Sequence, residues 1–426
     1  MSEKSLLTAA DIEKGFYPLR PIQRWLINTH FNKAKSTMMN IGTLIKINPA
    51  IDVERVINAM NETLQAHDIF RCRFVFHPET SELCQRFDGE VQPVKIVKWT
   101  DEEFELNKKY FLEPYFLIDE PLYRIFIFET PTTSYLYMDY YHGTMDGTSI
   151  GLLFTREIEI RYNGKNLNHA PIKYADYIAE ELQTPAEELE AGNKYWHEIT
   201  KFFDEKKHLP PADLHEDSWQ QHRIFYNFKN ILEKFFEGKA HKENIFFFAA
   251  TMLAIAKSSG AKSSMLSLIH NGRFNAHERR IMGLMVEQYP VAWTFENDMT
   301  VKEFFEKLDE KINEGLTYRK SLGATYMDGS QDDCATFIFQ KNIRTNSYYF
   351  AGKWNDTVEL SENEWSAAEN SLDIEVNANE DGTYRMILDY DAGRYSERTM
   401  KNFAELMDKI ILQIQDEKIL TSQILE

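Results

Sequence analysis

Helical and extended sequence patterns alternate along this chain, with a similar inventory in its two halves. In the first half, apolar positions over 53–64 recur at helical spacing, and 122–129 and 134–141 have the pattern of a β-hairpin. In the second half, the strongly apolar segment 244–258 predicts a buried helix and 384–391 predicts a strand. With 426 residues, the chain is too long for one ordinary core. We therefore predict an α+β fold of two comparable lobes with a groove between them, although the halves show no evident sequence repeat.

The expected lobes are residues 1–175 and 221–426, joined by a crossover over 176–220. The crossover begins with a polar helical segment, 174–190, and continues into a loop-like stretch that starts at Pro210. Other predicted elements are helices over 9–15, 21–32, 231–238 and 301–318, strands over 38–47, 71–77, 83–87, 223–228, 263–270 and 335–340, and a last helix capped by Ser396.

The sequence Y-H-G-T-M-D-G at residues 141–147 follows a predicted strand and precedes a predicted helix, 150–162. A histidine at a strand end is held firmly and faces the gap where the chain turns, which suits a general base. Asp146 would fix the turn from behind, and Gly147 leaves room for a close approach of the backbone. The pattern is short and occurs by chance in many proteins, so a structural role for His142 is the alternative.

Composition excludes several classes of function. The net charge of −19 leaves no basic surplus for binding nucleic acid. No apolar run reaches the roughly 20 residues that span a bilayer, and the polar N-terminus lacks the apolar region of a signal peptide. The three cysteines have unrelated spacings and form no metal pattern. These features predict a cytoplasmic protein with no metal site and no nucleic-acid or membrane partner.

The segment at 141–147 is one of six that match motifs of a known family. It corresponds to H-H-x-x-x-D-G, with Tyr141 in place of the first histidine. Before it in the chain, residues 17–23 match P-L-S-P-x-Q, with Arg20 in place of serine, and residues 67–74 match R-H-E-x-L-R-T-x-F. After it, residues 174–177 match Y-x-D-Y, and residues 271–273 together with 283–290 match N-G-R and I-G-x-F-V-N-T-x-P, with Glu287-Gln288 in place of N-T. Residues 337–342 match a strand near the site. The chain thus resembles the condensation domains of nonribosomal peptide synthetases, in the chloramphenicol acetyltransferase-like acyltransferase superfamily.

This resemblance implies two chloramphenicol acetyltransferase-like lobes that form a V-shaped pseudo-dimer with a tunnel between them. The implied activity is amide-forming acyl transfer at His142 without a permanently bound cofactor. Phosphopantetheine arms of carrier proteins, or coenzyme A, would carry the substrates. The implied partners are an acyl carrier protein or acyl-CoA as donor and a peptidyl carrier protein as acceptor. The chain would act as a monomer or as part of a larger synthetase.

Each candidate residue has an expected role, because amine attack on a thioester passes through a tetrahedral adduct. His142 would take the proton of the amine or orient it, and the backbone N–H of Gly147 would stabilise the oxyanion unless this glycine serves only the turn. Asp146 is expected to be structural, since a buried carboxylate needs a partner. Arg71 is the preferred counter-ion, with Arg273 as the alternative, or Asp146 caps the following helix.

Four further positions complete the predicted site. Tyr141 is expected to support it by packing and hydrogen bonding. By their place in the matched segments, Gln340 is expected to line the tunnel, and Glu287 and Gln288 are expected either to line it or to have no role.

The type of acylation is a separate hypothesis. The chain begins in the first helix of the domain and contains neither adenylation motifs nor a carrier attachment serine, which favours a starter-type domain that attaches a fatty acyl group. The alternatives are a freestanding coenzyme A-dependent O-acyltransferase and a degenerate, non-catalytic docking domain. Gly147 argues against an epimerisation domain, and His142 excludes heterocyclisation. Acyl chain length and the acceptor amino acid stay open.

Overall fold

The computed structural model describes residues 7–33, 35–201, 208–216, 218–231, 235–237, 242–295, 299–321, 334–343, 347–360, 363 and 365–426. Within these residues the α-helices are α1 (Ala9–Glu13), α2 (Pro21–Asn32), α3 (Val53–Ala66), α4 (Asp101–Asn107), α5 (Thr155–Tyr162), α6 (Tyr174–Glu181), α7 (Ala186–Thr200), α8 (Glu243–Ser259), α9 (Val301–Thr317), α10 (Glu397–Ile414) and α11 (Thr421–Leu425). The strands are β1 (Tyr17–Pro18), β2 (Asn40–Lys46), β3 (Arg73–Phe76), β4 (Leu83–Arg86), β5 (Lys95–Lys98), β6 (Tyr123–Glu129), β7 (Ser134–Tyr141), β8 (Gln221–Asn227), β9 (Ser263–His270), β10 (Glu287–Thr294), β11 (Ala335–Ile343), β12 (Ser347–Phe350), β13 (Lys353–Val358), β14 (Leu372–Asn379) and β15 (Tyr384–Asp391).

The first lobe is built on a sheet whose described strands run in the order β12-β13-β2-β7-β6-β5. Its neighbouring strands are antiparallel, except that β5 runs parallel to β6. Helix α3 begins after Asp52, whose carboxylate accepts the backbone N–H of Arg55, and it buries Met60 and Leu64 in the core of this lobe. Strand β7 is paired on both edges, by β2 and β6, so the turn that starts at His142 has a rigid mount.

The second lobe has its own sheet, with described strands in the order β10-β9-β11-β14-β15-β8. Strand β11 runs parallel to β9 and β14, and the other pairs are antiparallel. Helix α8 is buried at every position from Ile245 to Ala256, because helices α9, α10 and α11 cover the sides that the sheet leaves open. Helix α10 begins at the predicted cap, Ser396, whose hydroxyl accepts the backbone N–H of Thr399. The described part of the chain therefore confirms the two-lobed α+β fold.

The structure corrects the predicted division of the chain into lobes. Strands β12 and β13 come from the second half of the sequence but extend the sheet of the first lobe, where Asp356 pairs with Lys46. The loop after β9 also crosses over, since Ile281, Leu284 and Met285 belong to the core of the first lobe. Two segments of the second half of the chain therefore contribute to the first lobe.

The single helix predicted over 174–190 is two helices in the structure. Helix α6 ends at Glu181 and α7 begins at Ala186, directly after Pro185. A proline inside a helix cannot donate the backbone hydrogen bond to the preceding turn, so the helix restarts after it. Of the helix predicted over 231–238, residues 235–237 form a turn, and 232–234 and 238 lie outside the described residues.

Candidate active site

A cavity of about 270 Å³ lies between the two lobes. Helix α2 of the first lobe contributes Ile22, Trp25 and Leu26 to its wall, and His142 lies on the same side. The opposite wall comes from β8, β11, β14 and β15 of the second lobe. The predicted histidine therefore faces a space that is lined by both halves of the chain.

The imidazole of His142 is half-buried and is fixed at one edge. Its Nδ1 lies 3.1 Å from the carbonyl oxygen of Met145, and its backbone N–H donates to the carbonyl of Met39 at 2.8 Å. A carbonyl oxygen can only accept, so Nδ1 carries the proton and Nε2 keeps its lone pair. Burial lowers the pKa of His142 below its usual value, which also favours the neutral ring. This is the protonation state that a general base needs.

Asp146 holds the turn from behind and connects it to the crossing loop of the second lobe. Its Oδ2 accepts from Nη1 of Arg273 at 2.9 Å and from the backbone N–H groups of Met285 and Val286 at 2.7 and 3.2 Å. Its Oδ1 accepts the backbone N–H of Ser149 at 2.7 Å, as a helix cap does. The sequence left ion pairing and helix capping as alternative roles for Asp146, and in the structure its carboxylate has both roles.

The preference for Arg71 as the counter-ion of Asp146 is corrected by these contacts. The guanidinium of Arg71 instead donates to the side chain of Gln65 at 2.7 Å and to the carbonyl oxygens of Gln65 and His67. Arg71 lies at the end of a 3₁₀ turn next to α3, and its side chain reaches back to that helix. The position of Arg71 within a matched motif did not indicate which way its side chain points.

Two residues that support the turn were not assigned a role from sequence. Ser149 accepts from Arg273 at 2.7 Å and donates to the carbonyl of Gly283 at 2.8 Å. Gln23 of α2 donates from its amide to the carbonyl of Gly143 at 2.9 Å. Gln23 is the last residue of the matched P-L-x-P-x-Q segment, so that motif carried the signal. Gln23 therefore binds the backbone next to His142, and Ser149 binds the backbone of the loop that holds Asp146.

Tyr141 is fully buried beneath the turn. Its ring packs edge-on against His30 and Tyr115, and its hydroxyl lies 3.5 Å from the carbonyl of Leu26. A Cβ atom at Gly143 would come within 2.4 Å of the Tyr141 ring, so the glycine is required by this packing. Tyr141 therefore occupies the core and does not reach the cavity.

Gly147 is exposed at the start of the helical segment that leads to α5. A Cβ atom there would meet no heavy atom within 4 Å, so the backbone is open to an approaching group. Gly147 is not among the residues that line the cavity, whereas His142 is. The open backbone is compatible with the predicted oxyanion contact.

The three predicted lining residues differ in position. Glu287 and Gln288 line the cavity, while Gln340 lies outside this set and donates to Glu375 at 3.0 Å. Glu287 forms an ion pair with the buried Arg20, and burial raises the pKa of Glu287 to about 7 despite this pair. Arg20 and Glu287 are both departures from the family motifs and meet in the structure, where Arg20 also donates to both carboxylate oxygens of Glu181.

Comparisons with known proteins agree with this geometry. Residues 13–419 match the model of a family described as Condensation domain. Bacitracin synthase 3 of Bacillus licheniformis is 24% identical over 309 residues, which are 70% of this chain but 5% of that protein. The chain therefore spans a small part of that curated relative.

Solved structures of similar shape cover nearly the whole chain. The condensation domain from Monacolin K polyketide synthase MokA superimposes with a TM-score of 0.78 at 18% identity, covering 95% of this chain and 99% of that domain. A mutant of the starter condensation domain of rhizomide synthetase RzmA, in complex with C8-CoA and Leu-SNAC, gives a TM-score of 0.74 at 15% identity, covering 97% and 98%. At these identities the similarity establishes a shared fold.

Proposed function

Because the chain belongs to the condensation-domain family, whose members form amide bonds by acyl transfer, we propose that it is a starter-type acyltransferase. In this proposal a fatty acyl group passes from a thioester to the amine of a carrier-bound amino acid. The donor is an acyl carrier protein or acyl-CoA, and the acceptor is held by a peptidyl carrier protein. Phosphopantetheine arms, or coenzyme A, bring both substrates to the cavity.

The observation that carries this proposal is the orientation of His142. Its Nδ1 is tied to Met145, so Nε2 is the ring nitrogen left for the cavity. The amine attacks the thioester carbon and loses its proton to Nε2, and a C–N bond forms. The adduct then collapses, the C–S bond breaks, and the proton passes from the imidazolium to the leaving thiolate. Orienting the amine by a hydrogen bond to Nε2 is the weaker form of the same role.

Gly147 is proposed as the donor to the adduct oxygen. Its exposed backbone, with no neighbour in the place of a side chain, leaves access for such a contact. Asp146 and Arg273 act as positioning residues, since their side chains bind each other and hold the turn.

Two observations support an apolar acyl donor. The first-lobe wall next to His142 is formed by apolar side chains of α2 together with Met38. The starter domain of rhizomide synthetase, which has the same fold, is described in complex with C8-CoA. An octanoyl thioester is therefore a suitable first donor.

The proposal is tested by intact-protein mass spectrometry. The protein is mixed with octanoyl-CoA or octanoyl acyl carrier protein and with peptidyl carrier protein loaded with a panel of amino acids. Acylation of the aminoacyl carriers is expected. The matched control is a carrier loaded with 2-hydroxy-4-methylpentanoate, the hydroxyl analogue of leucine. Faster transfer to this alcohol would identify an O-acyltransferase, and no transfer to any acceptor would favour a docking domain.

A further inference from the structure

The two walls of the cavity have opposite chemical character. The first-lobe side is apolar apart from His142. The second-lobe side is rich in carboxylates, which lie at Glu287, Glu369, Asp373, Glu375 and Asp389. Substrates that meet at His142 therefore contact an apolar surface on one side and an acidic surface on the other.

Two carboxylates of the acidic wall are neutralised by arginines, and one of them is Glu287, which pairs with Arg20. Asp389 forms a two-pronged ion pair with Arg223, with N–O distances of 2.6 and 2.8 Å. Glu375 accepts from the amide of Gln340, and no cationic group of the described residues lies within ion-pair distance of it. Arg223 and Arg385 influence Glu375 only at longer range.

The other two carboxylates have weaker support. Asp373 accepts only from neutral donors, the hydroxyl of Thr336 and the amide of Asn370. Glu369 has neither a hydrogen bond nor an ion pair from the described side chains. Burial raises the pKa of Glu369 to about 7 and that of Asp373 to about 8, and the closeness of Glu369 adds to the rise at Asp373. A cation placed between them would relieve this cost.

A buried acceptor behind this wall also lacks a donor. Asn377 is only 2% exposed, and its Oδ1 has no hydrogen-bond partner among the described residues. Side chains alternate along a strand, so Asn377 emerges from the same face of β14 as Asp373 and Glu375. A buried acceptor without a partner costs about 1–3 kcal/mol. The wall thus offers negative charge to an N–H-bearing cation, and Asn377, which lies outside the cavity lining, supports Glu375 from behind.

A metal ion is a poorer fit than an organic cation. Within the described residues, no group of three or more His, Cys, Asp or Glu side chains is arranged to hold a metal. The cavity volume of about 270 Å³ suits a small organic group. A side-chain amine also enters such a site with its charge, because a lysine-type amine has a pKa of about 10.4.

We propose that the acceptor carries a second basic group, an amine or a guanidinium, that binds Glu369 and Asp373 while its reacting amine lies at His142. The inference rests on the proposed function and specifies its acceptor. The second group keeps its positive charge when the reacting amine becomes neutral, so the acidic wall does not have to hold the nucleophile in its unreactive form. The donor occupies the apolar side.

The test compares two acceptors that differ in one charge. Lysyl and norleucyl thioesters of N-acetylcysteamine are offered with octanoyl-CoA, and kcat/KM is measured for both. A preference for the lysyl acceptor of about tenfold or more is expected, the size of one charge-assisted hydrogen bond. In the double variant Glu369→Gln/Asp373→Asn this ratio should fall by about the same factor. Glu380→Gln, an exposed carboxylate on the same hairpin, is the matched control and should keep the ratio.

The outcomes separate this inference from the proposed function. Equal use of both acceptors by wild type, or a ratio that survives in the double variant, overturns the acidic-wall assignment while amide formation stands. If no amide forms, calorimetry with 1,5-diaminopentane still decides the inference. Binding to wild type that is lost in the double variant supports it, and no binding to wild type overturns it. Thermal unfolding of each variant checks the fold, and removal of the two charges should not lower the midpoint.

Discussion

The two lobes contain the same strand–turn–helix unit, and the proposed chemistry belongs to only one of the two units. Strand β7 leads through the His142 turn towards α5, and strand β15 leads through a turn at Ala392 into α10. Counting 250 positions between them, Ala392 corresponds to His142 and Ser396 to Asp146. Both units keep an Asp-Tyr pair at the strand end and a glycine in the turn.

The backbone hydrogen bonds of the two turns are also equivalent. His142 donates its N–H to Met39 and Ala392 donates to Gln220, both at 2.8 Å. Asp146 caps the segment that follows it through Ser149, and Ser396 caps α10 through Thr399. The same local geometry therefore does not require a histidine, and the imidazole is the addition that the first lobe makes.

The two turns are held by residues from different parts of the molecule. Ser396 is bound by Asp213 of its own lobe, with its hydroxyl donating at 2.6 Å. Asp146 is bound by Arg273 and by backbone of the crossing loop. The His142 turn, which faces the cavity between the lobes, is therefore bound by residues of both halves of the chain, whereas the turn at Ala392 is bound by a residue of the second lobe.

The largest expected effect comes from making the first turn resemble the second. His142→Ala should lower the rate of amide formation roughly 10²–10⁴-fold while leaving the unfolding midpoint close to wild type. Single-turnover mass spectrometry measures the rate. His277→Ala, at an exposed position, is the control, and adding Ala392→His to the His142→Ala variant should restore nothing. Wild-type rates in His142→Ala would remove the functional difference between the turns.

The second effect concerns the anchor that spans the lobes. Asp146→Ala leaves the Arg273 guanidinium buried without its partner, which should cost about 3–5 kcal/mol in the free energy of unfolding. Chemical denaturation measures this cost. Arg71→Met is the matched control, and it should change stability little because, among the described residues, the Arg71 guanidinium donates hydrogen bonds to Gln65 and His67 and pairs with no carboxylate. If Arg71→Met lowered the free energy of unfolding as much as Asp146→Ala, the result would favour the Arg71–Asp146 pair that was expected from the sequence.

A smaller effect is expected at the equivalent position of the second lobe. Ser396→Ala removes a helix cap and should cost about 1 kcal/mol by the same denaturation assay. Asp213 then loses its hydroxyl donor but keeps the backbone N–H of residue 396 at 2.9 Å. A cost equal to that of Asp146→Ala would show that the anchors do not differ in the way the contacts indicate.

The smallest effect is the titration of His142. Its pKa is lowered by burial, so the ring should protonate below the usual value of about 6.5. Because the folded-state pKa lies below the unfolded one, the stability linked to this group is complete above pH 6.5 or so and is lost as pH falls below it. Imidazole NMR, assigned by the signal missing in His142→Ala, measures it. A pKa above 6.5 would contradict the account of the neutral base.

Local patterns predicted much of the fold. Hydrophobic periodicity gave β9 and β15 with the bounds that the structure has, and the Ser396 cap was read from its residue type. Such signals work because alternation and capping involve residues a few positions apart. Strands β12 and β13 were missed as members of the first sheet, because β12 joins it through β13, and the pairing of β13 with β2 connects residues about 300 positions apart that no local pattern links.

The site was predicted less completely than the fold, for the same reason. The motif located His142 and Asp146, but the choice between Arg71 and Arg273 depends on a contact that spans 127 positions. The pair of Arg20 and Glu287 spans 267 positions, and each residue alone looked like an isolated departure from a family motif. Charges that meet only in three dimensions, such as those of the acidic wall, left no signal that spacing could reveal.

A structure with a bound substrate analogue tests the central claim most directly. Crystals would be soaked with a non-hydrolysable octanoyl-phosphopantetheine analogue. We expect the arm to enter the cavity and to place the group that mimics the thioester carbonyl within about 3.5 Å of His142 Nε2, close enough for an attacking amine to reach both. An arm that ends elsewhere, with Nε2 of His142 covered by protein, would contradict the assignment of the first turn as the catalytic one.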